Sequence, residues 1–133
     1  KLEKKDINKK VMNAQKLTVD GIQFRSKLEA FTYNKLKEAG IETEYEKRVY
    51  TILESFEFKG VKVRPMTYKP DFVGNGFILE CKGFETEQFK VRLKLWKKYM
   101  NQFLPNIDYY MPRNQAQVVS VIEQIKSKNY DSI

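Results

Sequence analysis

Histidine is absent from the chain, and cysteine occurs once, as Cys81. The first absence removes the usual general base, the Ser-His triads and the histidine ligands of zinc hydrolases. The second excludes an internal disulfide and any multi-cysteine zinc site. Any chemistry must therefore run on carboxylates, lysines, tyrosines or the lone thiol. No apolar run approaches the roughly 20 residues that span a bilayer, and the N-terminus does not read as a signal peptide. A soluble intracellular protein is the simplest expectation. Low-complexity linkers and internal repeats are missing as well. At 133 residues, with 41% hydrophobic and 14% aromatic content, the chain has the composition of one globular domain rather than a disordered segment.

Positive charge is abundant. Twenty-five Lys and Arg stand against 17 Asp and Glu, a formal charge of +8, which suits a polyanionic partner such as nucleic acid, or simply a surface kept soluble by lysines. Residues 1–20 hold Lys1, Lys4, Lys5, Lys9, Lys10 and Lys16 with few large apolar residues, and read as a basic arm preceding a domain over 21–133.

The pattern beyond the arm alternates helix and strand signals. Ser26-Lys27-Leu28-Glu29 is a capping box that opens a helix closed by Gly40. Tyr45–Leu53 reads as a strand, Phe56–Val63 as a hairpin turning at Lys59-Gly60, and Met66–Val73 as a further strand. After a Gly74-Asn75-Gly76 turn, Phe77–Lys82 forms the next strand. A long helix is expected from about Thr86 to Phe103, with Phe89, Leu93, Trp96, Met100 and Phe103 at helical spacing, all read as core. A short strand over Ile107–Met111 and a helix over Asn114–Lys126 complete an α/β mixed sheet flanked by helices.

The chemistry concentrates between Tyr68 and Gly83. Glu80 and Lys82 share a strand face because side chains alternate with a period of two, and the glycine turn folds Asp71 back toward Glu80. Two carboxylates so placed repel unless a cation intervenes, and a hard divalent ion such as Mg2+ prefers oxygen ligands. The backbone carbonyl of Cys81, between them, is a further candidate ligand; its thiol, with no histidine to activate it, is assigned to packing. Lys82 is placed to orient or deprotonate an attacking water, or to neutralise charge building on a phosphate. The plainer alternative is an exposed Glu80–Lys82 ion pair beside a turn. Lys90, Lys94, Lys97 and Lys98 share one face of the long helix, either as phosphate contacts or as a solvated surface.

Pro70-Asp71 followed by Glu80-Cys81-Lys82 resembles the signature of the PD-(D/E)xK nucleases. With Phe24-Arg25-Ser26-Lys27-Leu28-Glu29, Ile41 and Glu44-Tyr45-Glu46, the pattern is similar to bacteriophage endonuclease I, a Holliday junction resolvase. Lys82–Glu87 resembles a stretch in related phage nuclease-like domains. The resemblance spans about Phe24 to Met100. It implies a restriction-endonuclease-like fold and a metal-dependent DNA endonuclease, with Glu29, Asp71, Glu80 and Lys82 as catalytic residues. Glu29, Asp71, Glu80 and the Cys81 carbonyl would hold Mg2+, with Mn2+ able to substitute. Arg25, Lys27 and Lys69 beside these positions join the helix lysines as candidate DNA contacts. Glu29 is also accounted for by its capping role alone, and the two roles are compatible. The resemblance further implies branched DNA as substrate, a homodimer, and a phage or prophage protein acting in the bacterial cytoplasm. The Glu54–Pro65 segment departs from that pattern by lengthening the approach to Asp71. Linear DNA in recombination, packaging or defence is the alternative task, and a non-catalytic nucleic-acid-binding protein the alternative class.

Overall fold

A computed structural model describes residues 17–128 and Tyr130. Its elements are β1 (Leu17–Val19), β2 (Ile22–Phe24), α1 (Lys27–Glu38), β3 (Thr43–Tyr45), β4 (Tyr50–Leu53), β5 (Phe56–Phe58), β6 (Val61–Val63), β7 (Met66–Tyr68), β8 (Phe72–Gly74), β9 (Phe77–Leu79), α2 (Glu87–Phe103), β10 (Asp108–Tyr110) and α3 (Gln115–Lys128). The fold is mixed α/β, centred on a four-stranded sheet of order β10-β9-β8-β3. In it, β9 runs parallel to β10 and antiparallel to β8, and β3 is antiparallel to β8. Three further strand pairs, β1-β2, β4-β7 and β5-β6, stand apart from it. None of the described helices is long and apolar enough to cross a membrane.

Strand β9 explains the layering. Its residues Phe77, Ile78 and Leu79 are all buried, as expected of a strand covered on both faces. Phe77, Leu79 and the following Cys81 join Ala30 and Leu36 of α1 and Val118, Val121, Ile122 and Ile125 of α3 in one core. Ile78 points the other way, into a second core with Tyr68 and with Phe89, Leu93, Trp96 and Met100 of α2. The period of two thus sorts helices onto opposite faces. Trp96 is fully buried, its ring 4.5 Å from Tyr68 and 5.1 Å from Tyr50, a core role as expected. Phe103, in contrast, is exposed.

Helix α1 starts as the capping box requires, with Ser26 Oγ accepting the Glu29 N–H at 3.1 Å. It ends in a Schellman closure: Ile41 N–H bonds Leu36 O at 2.9 Å and Gly40 N–H bonds Lys37 O at 3.0 Å. The closure places Gly40 at φ +71, in the left-handed region where glycine is unpenalised.

Three expectations are corrected. The single strand over Tyr45–Leu53 is two, β3 and β4, because Glu46 takes φ +50 and turns the chain between sheets. The strand over Met66–Val73 is likewise two, β7 and β8, separated by Lys69-Pro70-Asp71; Pro70 has no N–H to continue a ladder. The basic arm over 1–20 ends earlier than expected, since Leu17–Val19 pairs with Ile22–Phe24 across a turn at Asp20-Gly21. The remaining arm residues, Lys1 to Lys16, lie outside the described residues.

Candidate metal centre

The site forms where β8 and β9 part. Beyond their last ladder pair, Phe72 with Leu79, come Asp71 and Glu80. The backbone past Leu79 stays bonded along the β10 side, Glu80 N–H to Tyr110 O at 2.9 Å and Lys82 N–H to Pro112 O at 3.1 Å, so Glu80 and Lys82 remain on one side of an extended segment. The two carboxylates interlock. Cys81 N–H donates to Asp71 Oδ2 at 2.8 Å, and Asp71 N–H donates to Glu80 Oε1 at 3.2 Å. The structure therefore brings Asp71 and Glu80 together as the turn led one to expect.

Glu29 reaches the same place from α1. Its carboxylate does not return to the Ser26 backbone N–H in the full capping box. It accepts instead from the Ser26 hydroxyl at 3.2 Å and from the Tyr45 hydroxyl. This leaves the cap half-made and turns the acid toward the sheet end.

A fourth acid, Glu46, was seen in sequence only as part of the Glu44-Tyr45-Glu46 stretch. Carboxylate oxygens of Glu29, Glu46 and Asp71 lie within 4.8 Å of one another. Glu46 gets there through its left-handed backbone, a conformation that costs a non-glycine residue about 1 kcal/mol or more and that its N–H bond to Asp71 O at 2.9 Å holds in place. No local signal in the sequence marks it as a ligand, because strand alternation runs on through this position.

Burial makes the cluster electrostatically costly. Glu29, Asp71 and Glu80 are 7%, 2% and 6% exposed. Burial, and then the neighbouring Glu80 and Glu29 charges, push the Asp71 carboxyl well above the ordinary range. Burial also raises Glu80, against the opposing pull of the Tyr68 hydroxyl and the Lys82 charge. The Tyr68 hydroxyl donates to Glu80 Oε1 at 3.0 Å and lies 2.8 Å from the Tyr109 hydroxyl. With its proton committed to Glu80, Tyr68 receives the Tyr109 proton. The sole cationic side chain within ion-pair reach among the described residues is Arg25, paired with Glu46 and 3.9 Å from Asp71 Oδ1.

The donor set is all oxygen. Glu29 gives both oxygens to the scaffold, Oε1 to Tyr45 and Oε2 to Ser26, whereas Asp71 gives Oδ2 to Cys81 and Glu80 gives Oε1 to Tyr68. Asp71 Oδ1 and Glu80 Oε2 accept no hydrogen bond among the described residues. Such hard donors fit Mg2+ or Mn2+ and not a thiophilic metal. The Cys81 thiol faces away, buried against Thr32 Oγ1 at 3.2 Å, and burial raises it far above the range of a reactive thiol.

The other sequence candidates spread out from this centre. Lys82 is half-buried, its Nζ 4.3 Å from the Phe89 ring centroid at the start of α2. Lys27 and Lys69 are exposed, as are Lys90, Lys94, Lys97 and Lys98. Lys90 pairs with Glu87 at 3.0 Å; Lys94, Lys97 and Lys98 form no ion pair among the described residues. A cavity of about 1190 Å³ runs along the outer edge of β3, past Glu42, Glu44 and Arg48, and another of about 380 Å³ lies between Lys27, Cys81, Gly83 and Arg113. Glu29, Asp71 and Glu80 line neither of these two cavities.

Residues 9–111 match the family described as "Protein of unknown function (DUF1064)". No curated protein and no solved structure matches the chain.

Proposed function

The chain belongs to the DUF1064 family of proteins of unknown function, and from the chemistry of its acidic cluster we propose that it is a divalent-metal-dependent DNA endonuclease with a restriction-endonuclease-like fold. The observation that carries this reading is the convergence of Glu29, Glu46, Asp71 and Glu80 at one sheet end with Lys82 beside them. Buried acids in such number are tolerated only if protonated or matched by positive charge. Their all-oxygen donor set suits Mg2+, with Mn2+ as substitute.

Glu29, Glu46, Asp71 and Glu80 would hold the ion, with the Cys81 carbonyl as a further candidate. Bound there, Mg2+ supplies an acidified water and neutralises charge on the leaving oxygen. The protein groups do the rest. Tyr45 and Tyr68 fix the orientations of Glu29 and Glu80, so the acids do not reorganise when a phosphate arrives. Lys82, on the same side of its segment as Glu80, orients the attacking water or offsets charge on the phosphate. Its stem against Phe89 limits where that ammonium can go. Lys94, Lys97 and Lys98 on α2, without acidic partners among the described residues, contact phosphates flanking the cut; Lys27, Lys69 and Lys90 extend that surface.

Branched DNA cut by a homodimer is the task favoured by the similarity to phage junction resolvases, since paired cuts on a two-fold junction call for two sites. Linear DNA in recombination, packaging or defence is the alternative within the same chemistry. A specific observation favours a second reading, a DNA-binding protein without catalysis: Arg25 already pairs with Glu46 beside Asp71, so the cluster has a counter-charge of its own.

Labelled four-way junction and matched linear duplex, each with Mg2+, with EDTA, and with an Asp71→Ala protein, separate these readings. Paired cuts in the junction alone, lost in EDTA and in the variant, support a resolvase. Equal cutting of both substrates leaves the nuclease and removes the resolvase. Tight binding without cutting in Mg2+ or Mn2+ overturns the enzyme.

A further inference from the structure

Helices α1 and α3 share one core and both begin at the end of the sheet where the acids gather. Glu29 stands in the first turn of α1, and Lys82 N–H bonds Pro112 O just ahead of α3. Between these two starts lies the cavity of about 380 Å³. Leu28, half-buried, and Cys81, buried, form its deeper wall, and the exposed Lys27, Gly83, Arg113 and Gln115 its rim. The cavity shares a wall with the acidic cluster. Ser26 lines it and gives its hydroxyl to Glu29 Oε2 at 3.2 Å, while Cys81 gives its N–H to Asp71 Oδ2 at 2.8 Å. Positive charge stands at the rim. Lys27 forms no ion pair among the described residues. Arg113 pairs with Glu85, whose side chain is only 13% exposed, so the guanidinium is anchored. One carboxylate does not exhaust its five N–H donors.

We propose that this cavity holds one nucleotide of a DNA strand, next to the phosphate at the metal centre. The nucleotide's own phosphate meets Lys27 and Arg113, and its sugar and base lie over Leu28 and Gly83. The inference rests on the reading of the chain as acting on DNA, and adds to it a subsite that sets where the strand lies relative to the acids. Size agrees, since the cavity falls at the small end of the ~300–1,000 Å³ typical of ligand sites. Spacing agrees as well. Consecutive phosphates of one strand advance about 3.4 Å along a duplex. A cavity separated from Asp71 and Glu29 by single hydrogen-bonded residues therefore lies about one or two nucleotides from a phosphate at the ion. The mixed lining favours a nucleotide over a bare anion. An anion would use the two cations and leave the Leu28 wall uncovered, whereas a nucleotide brings a charged end and a flat apolar one.

The test is amide NMR of the full chain in EDTA, titrated separately with thymidine 3′,5′-bisphosphate, thymidine and inorganic phosphate. The bisphosphate should shift the Lys27, Leu28, Gly83 and Gln115 amides saturably, with a Kd of about 1 mM or tighter. It should bind at least about tenfold more tightly than thymidine or inorganic phosphate, because only it engages both the cations and the apolar wall. Lys27→Ala with Arg113→Gln should weaken it about tenfold or more. Lys94→Ala with Lys97→Ala, which removes the same charge from α2, should cost less than about twofold. Lys27→Arg with Arg113→Lys, which keeps the charge, should restore most of the affinity, and circular dichroism melts check that each variant folds. Absence of shifts at the cavity, equal affinity for inorganic phosphate and bisphosphate, or equal loss in the α2 control would overturn the proposal. Because this binding needs no metal, cavity binding without DNA cleavage in Mg2+ keeps the subsite and removes the nuclease. Cleavage with a silent cavity does the reverse.

Discussion

The guanidinium of Arg25 stands 3.9 Å from Asp71 Oδ1 while pairing with Glu46, so an exposed arginine supplies the counter-charge for a buried aspartate. A metal ion held by the same acids competes with it. Arg25→Ala should bind Mn2+ several-fold more tightly by calorimetry, while its melting temperature in EDTA falls by the equivalent of about 1 kcal/mol or less, since the side chain is mostly exposed. Weaker Mn2+ binding would show that Arg25 supports the metal rather than competing with it.

The raised pKa values of Asp71 and Glu80 set the sign of the pH response. An acid raised by burial contributes stability fully below its unfolded value of about 4, and loses it as pH rises through the folded-state value. Metal-free protein should therefore melt at progressively lower temperature from pH ~5 to pH ~9, and Asp71→Asn should flatten that decline. Saturating Mg2+ should reverse the slope, because metal binding requires the carboxylates deprotonated. Thermal melts across pH, with EDTA and with Mg2+, check both signs.

Glu46 holds a left-handed backbone for the sake of where its carboxylate lies. Glu46→Gly should relieve that conformation and stabilise the metal-free protein by up to about 1 kcal/mol. The same change should weaken Mn2+ binding and cleavage. A variant both less stable and unaltered in metal affinity would remove Glu46 from the site.

The Tyr68 hydroxyl donates a hydrogen bond to Glu80 and is backed by Tyr109. Tyr68→Phe should lower metal affinity on the order of tenfold, the usual scale for a group that orients a ligand. Tyr109→Phe, one bond further out, should cost less. Calorimetric titration of both variants ranks them, and the reverse order would break the proposed chain.

Replacing Lys94, Lys97 and Lys98 together by Ala should leave melting unchanged, because all three are exposed. If each meets a phosphate, the slope of log K against log salt should shrink by about 2.7. An unchanged slope would return the α2 face to ordinary solvation.

Much of this was legible before any coordinates. Ser26 and Gly40 marked the limits of α1 because capping and closure are local events, settled by residues three to five apart. Thr86 and Phe103 bounded α2 for the same reason. The Lys59-Gly60 and Gly74-Asn75-Gly76 turns followed from residues that accept positive φ or a tight reversal. What failed were the continuous strands over Tyr45–Leu53 and Met66–Val73. Alternation of apolar residues persists through both, and nothing local says that a strand changes sheet midway.

The sequence by itself determined the chemical inventory: no histidine, one thiol that packs, and a Pro70-Asp71 and Glu80-Cys81-Lys82 pair joined by a turn too short to keep their acids apart. Period-two alternation also fixed Glu80 and Lys82 on one side and Cys81 on the other. Tertiary structure alone decided the company those acids keep. Glu29 lies 42 positions before Asp71 in the chain and Glu46 lies 25 before it, and their carboxylates meet only because the Tyr45 hydroxyl of β3 holds Glu29 and the chain kinks at Glu46. Local rules see neighbours along the chain, whereas the repulsion among buried carboxylates, and the Arg25 charge set against it, depend on distances that only the packed fold defines.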